Sequence, residues 1–310
     1  MVMKPRVLWA PAIVLQATVV TSLVVILFWH VLVHLVLKWR SSEDWSHGFI
    51  IPLFSLYYLY IRRDMMPIGL SDHSLIARLA GAALLTLACL LYLQATVARM
   101  DYPKNVALVM CVMGIFLMTC GWPIARWGWF AVAFLMFAMP LPQNLYEQMT
   151  NPLQQLAAHV SSAVLNLVPD LSAEAAGTIV EGTYKGAFFS LNVEQACSGM
   201  RLLMTMTALG VAMTFVNERP LWQRLVMILI CVPIAVFCNI IRVTTTGFFV
   251  VFGRQDLAQG TAHMLLGLMM LAVAFSLYGG ASYVLNHLFV DSQADPDDED
   301  DDDSAGGKAG

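Results

Sequence analysis

The chain of 310 residues is 59% hydrophobic and only 12% charged, with a mean hydropathy of +0.69; soluble domains carry about 25% charged residues. The formal net charge of −4 owes much to an acidic run near the C-terminus, and no basic patch points to nucleic acid. These figures exclude an ordinary soluble enzyme and predict an all-α polytopic membrane protein, built as one domain over 1–290 with a disordered acidic tail over 291–310.

The apolar runs give about eight transmembrane helices. Residues 7–37 form a first span, too long for a signal-peptide core and without a small-residue cleavage site. His30 and His34 share a face near its end and read as interfacial polar residues. A second helix opens at Trp45-Ser46-His47-Gly48-Phe49, takes Pro52 in its first turn and closes at Arg62 and Arg63. Spans three, four and five cover about 79–97, 106–120 and 127–139, the last ending at Pro140-Leu141-Pro142.

The pattern then changes. Residues 144–168 interleave Gln, Asn and His with Leu and Ala, which predicts an amphipathic helix lying in the membrane interface. Residues 177–193 are rich in Thr, Val, Tyr and Phe, with Gly182 and Gly186, and predict a short extracytoplasmic hairpin before the sixth span. Such backbone cannot face lipid. The sixth span covers about 197–216, the seventh starts near Leu225 and contains Asn239 and Arg242, and the eighth runs from about His263 to His287.

Five of the six cysteines, Cys89, Cys111, Cys120, Cys231 and Cys238, lie inside apolar runs, where a thiol is a small hydrophobe. No spacing suits a zinc site or a disulfide framework, so neither metal nor cofactor is expected. Cys197 alone sits at a polar boundary, in Glu194-Gln195-Ala196-Cys197-Ser198-Gly199-Met200-Arg201.

Topology brings this thiol two partners. Basic residues of the short loops number eight on the N-terminal side and six on the other, which favours the N-terminus inside. Cys197 and His263 then begin spans six and eight on the outer side. Span seven runs the other way, and Arg242, 17 residues beyond Leu225, comes up about 25 Å across a hydrocarbon core of about 30 Å. Three helices thus deliver a thiol, a guanidinium and an imidazole to similar depth. An arginine within a span is costly and marks function by default, whereas a lone cysteine or histidine at a helix end is more often structural. A helix start and nearby cations lower a thiol's pKa. Arg242 stays protonated, so it suits stabilising a thiolate or oxyanion, while His263 can shuttle protons. Glu194 and Arg201 share a face with Cys197 if the helix extends back one turn, and His47 lies near the same boundary.

At these residues the sequence resembles the exosortase/archaeosortase family of membrane cysteine transpeptidase-like proteases. The likeness is carried by Glu194-Gln-Ala-Cys197-Ser198-Gly199-Met-Arg201, Asn239-Ile-Ile-Arg242 and Gly260-Thr-Ala-His263, in that order, with Ser46-His47-Gly48-Phe49, Pro52 and Pro140-Leu-Pro142. It spans about 45–285. The resemblance implies a multi-pass protein of the bacterial cytoplasmic (inner) membrane whose site faces outward. Cys197 would form an acyl-thioester, with Arg242 and His263 as its partners and Arg described as proton donor. The implied substrates are exported, membrane-anchored proteins with a C-terminal sorting signal (PEP-CTERM-like): a short motif such as Pro-Glu-Pro, a spanning helix and a basic end. Two other classes fit the bare residues: a transporter binding an anion at Arg242, and a scaffold for exopolysaccharide assembly.

Overall fold

The structure is a computed structural model describing residues 11–67, 74–193, 199–216, 220–258 and 260–288. Helix α1 (Pro11–Leu27) and helix α2 (Trp29–Ser41) meet at a 72° bend. The pivot, Phe28, is buried edge-on against Tyr92, with ring centroids 5.1 Å apart. A 3-10 helix (Glu43–Phe49) leads into α3 (Ile50–Ile61), whose 12 residues reach about 18 Å, short of a bilayer core.

Helix α4 (Leu75–Val97) and the first arm of α5 (Asp101–Phe134) form a tight hairpin. Two glycines permit the contact: a Cβ on Gly81 would lie 2.6 Å from Met118 N, and one on Gly114 2.9 Å from Leu85 Cγ. Helix α5 breaks at Gly121, whose φ of 78° a side chain would resist. The chain doubles back there, so Gly128 faces Phe116 and Val132 rejoins the cluster of Ala107, Leu108 and Cys111. The break falls where the sequence ends its fourth apolar run.

Helix α6 (Gln143–Leu165) is followed by strands β1 (Leu171–Ala176), β2 (Ile179–Tyr184) and β3 (Ala187–Asn192), an antiparallel sheet in the order β1-β2-β3. The stretch predicted as a hairpin is thus one strand larger. Its inward side chains Leu171, Ala173, Val180, Phe189 and Leu191 pack on Ala157, Ala158 and Leu165 of α6 and on Val243. Asn166 joins helix to sheet, donating from Nδ2 to Ala173 O at 2.8 Å and accepting from Ala173 N at 2.7 Å.

Helices α7 (Gly199–Val216), α8 (Leu221–Val251), α9 (Gln255–Ala258) and α10 (Gly260–Leu288) complete the described chain. Helix α6, predicted as an amphipathic helix, packs on α8. It runs beside α8 in the same direction, with Ser161 Oγ 3.0 Å from Thr244 Oγ1 and Leu165 against Gly247. Small residues on its buried face make that approach possible.

The count of eight spans is the main difference. Among the described residues four helices are long and apolar enough to cross a membrane, or five if the bent α1–α2 pair is one span. The 72° bend and the shortness of α3 and of the apolar stretch Arg201–Val216 account for part of the difference, while the reversal at Gly121 divides α5 into two arms that fall on the fourth and fifth predicted runs. The acidic tail lies outside the described residues.

Replacing Gly81 with Val should drive α4 from α5 and cost about 1–3 kcal/mol, read as a lower Tm of the detergent-solubilised protein. Gly279→Ala, where a Cβ meets nothing within 4 Å, should leave Tm unchanged or raise it.

Candidate active site

Helix α8 carries a buried stripe through Cys231, Ala235, Cys238, Arg242 and Thr246. Arg242 is only 6% exposed. A Cβ on Gly267 would lie 3.6 Å from Arg242 Cζ, so the guanidinium rests against α10 where that helix has no side chain. His263 occupies the first turn of α10, four residues and one turn before Gly267. The structure therefore brings Arg242 against the turn that follows His263. The side chain of His263, and Glu194 and Cys197 as whole residues, lie outside the described residues.

The described flanks of Cys197 are Val193 and Gly199. Val193 is fully buried and shares a cluster with Val243, the neighbour of Arg242. Asn239, one turn before Arg242, is 4% exposed, and its Oδ1 has no hydrogen-bond partner among the described residues. Thr246 Oγ1 donates to Arg242 O at 2.9 Å.

The 3-10 helix ties several elements to this end. Arg201, two residues into α7, donates to Glu43 across 158 residues of sequence. The pair is partly solvent-exposed, which limits it to about 0–1 kcal/mol; its value is positional. Tyr146 Oη donates to Asp44 Oδ2 at 2.7 Å, binding α6 to the same segment. Trp39 Nε1 donates to Ala138 O at 2.8 Å, and its indole fills the space a Cβ on Gly48 would need. Gly48 is thereby explained as a close-approach residue.

His47 is 7% exposed, with Nδ1 3.1 Å from Asp44 O and Nε2 3.2 Å from Phe137 O. A neutral ring donates to one of the two carbonyls. Burial holds its pKa below the ordinary 6.5, against the opposing pull of the Phe137 and Asp44 carbonyls and the Asp44 carboxylate. Its geometry is that of a strut between the 3-10 helix and the end of α5, not of a group reaching Arg242. Glu43, Asp44, Tyr146 and Gly267 were missed by the sequence reading. Only the acidic pair ahead of Trp45-Ser46-His47 gave any local signal.

Chemically, a buried guanidinium beside the start of α10 can stabilise negative charge developing on a thiolate or carbonyl oxygen.

The His47 shift sets a pH dependence. The folded pKa is lowered, so the unfolded chain takes up the proton first; stability from this group is complete above pH 6.5 and is lost as pH falls below it. His47→Gln should flatten the decline of Tm below that pH, measured by thermal unfolding in detergent.

Compared with models of protein families, residues 39–280 match that of the transmembrane exosortases. No curated protein and no solved structure shows a match.

Proposed function

The chain belongs to the transmembrane exosortase family, and from that footing we propose that it is an integral-membrane cysteine peptidase or transpeptidase that cuts C-terminal sorting signals of exported, membrane-anchored proteins. It works at the outer face of the bacterial inner membrane. The observation that carries this reading is the burial of Arg242 against Gly267, one turn from His263.

The Cys197 thiol gives its proton to His263, and the thiolate attacks the carbonyl carbon of the scissile peptide bond. Arg242 N–H groups pair the resulting oxyanion. Collapse breaks the C–N bond, the leaving amine takes the proton from the imidazolium, and an acyl-thioester remains on Cys197. Water then yields a free carboxylate; an amine yields a transferred chain. A guanidinium keeps its proton at any ordinary pH, so stabilisation rather than proton donation is the role of Arg242. Arg201 and His47 act as positioning residues that hold the start of α7 and the 3-10 helix.

The test is processing in membranes of a tagged reporter ending in a Pro-Glu-Pro motif, an apolar helix and a basic end. Cys197→Ala should abolish it. Arg242→Ala should slow it at least about hundredfold, with Arg242→Lys intermediate because it keeps the charge but loses the planar fork. Normal processing by a stably inserted Cys197→Ala protein would overturn the proposal.

A further inference from the structure

A cavity of about 600 Å³ lies between α6, α7, α8 and the end of α5. Its wall is almost wholly apolar and includes four methionines, Met136, Met139, Met149 and Met204. Methionine adapts its shape to varied apolar partners. Two lining residues, Met149 and Val232, remain 39% and 44% exposed, so the cavity opens on the flank where α6 passes α8.

Its position is fixed by the helices that carry the proposed site. Met204 lies five residues beyond Gly199, the start of α7. Val232 precedes Arg242 by ten residues, about 15 Å along α8. The cavity therefore sits on the membrane side of Arg242.

We propose that this cavity receives the first apolar side chains of the substrate's membrane anchor, and that Asp44 caps the amino-terminal turn of that anchor helix. The proposal rests on the peptidase reading above. One turn of a helix with its side chains is about 10–12 Å across and 5.4 Å tall, or roughly 420–610 Å³. The cavity thus admits about one turn rather than a whole span.

The rim selects the occupant. Asp44 precedes Trp45, which lines the cavity, and is held by Tyr146, whose ring lies 6.5 Å from that of Trp45. Asp44 Oδ2 accepts from Tyr146, while Oδ1 is buried with no hydrogen-bond partner among the described residues. Arg201 is engaged by Glu43 at this same rim. The carboxylates of Glu43 and Asp44 repel a phosphate headgroup. The first turn of a helix suits them: it carries free N–H donors and a partial positive charge, and a carboxylate is among its best caps.

A size-exchange experiment on the full-length protein in membranes tests this. The probe is the tagged reporter with an all-leucine anchor, alongside one with alanines in the first turn. Thr207→Phe, which fills the cavity from α7, should slow cleavage of the leucine reporter at least about tenfold. It should cleave the alanine reporter to within about threefold of wild type. Asp44→Asn, which keeps an oxygen for Tyr146, should slow both. Wild-type rates for both variants on both reporters would overturn the proposal. A second readout does not need chemistry: a photoreactive leucine analogue at position 153 in Cys197→Ala protein should cross-link to the first turn of the reporter anchor. Cross-linking to phospholipid alone would overturn docking, even where cleavage is Cys197-dependent. Cross-linking to the reporter without cleavage by the wild type would uphold docking and overturn the peptidase reading.

Discussion

A guanidinium carrying a full charge, 6% exposed in the middle of an apolar helix stripe, is the constraint on which the rest of this structure depends. Desolvating such a charge costs several kcal/mol even after relaxation, so the surroundings must be arranged for it. The arrangement is visible in the neighbours of Arg242. Gly267 yields the space in which the guanidinium lies, at a distance where a Cβ would just touch and any longer side chain would displace it. Val193, at the end of the sheet, and Val243, the neighbour of Arg242, share one buried cluster. The first turns of α10 and the upper part of α8 meet at this charge.

The second organising element is the 3-10 helix Glu43–Phe49. It makes little regular structure of its own, yet it is bonded to α7 through Arg201, to α6 through Tyr146 and to the end of α5 through His47. Each bond is modest in isolation. Their joint effect is to fix where three helices begin or end relative to one another, which is the precision a reaction site requires.

Much of this was legible in the sequence, and the failures have physical causes. The importance of Arg242 could be read because an arginine within a span is rare. Arg242 is buried, with its guanidinium against Gly267 of α10. The span count could not be read, because composition does not report the bend at Phe28 or where a helix such as α3 stops short. Strand β1, Leu-Ser-Ala-Glu-Ala-Ala, is made of helix formers; pairing with β2 and the backbone mimicry of Asn166 override that preference. The bonds of Glu43 and Asp44 join positions 158 and 102 residues apart, and no local pattern encodes such pairs.

On the proposed reading, the two environments at this end answer opposite chemical needs. A thiolate needs cations and donors, whereas an anchor leaving the bilayer needs apolar contact. On that reading the same two helices serve both at different heights: α7 carries Met204 into the cavity wall, and α8 leads from Val232 to Arg242. Because helices are stiff, the separation between the two environments is fixed at about 15 Å along α8. On the proposed reading this separation acts as a ruler. A substrate whose apolar segment starts too far from its cleavage point would place polar backbone in the methionine-lined cavity, where unmet hydrogen bonds are costly. Selection of the cleavage point then follows from the spacing between a charge and a cavity, not from recognition of the motif alone.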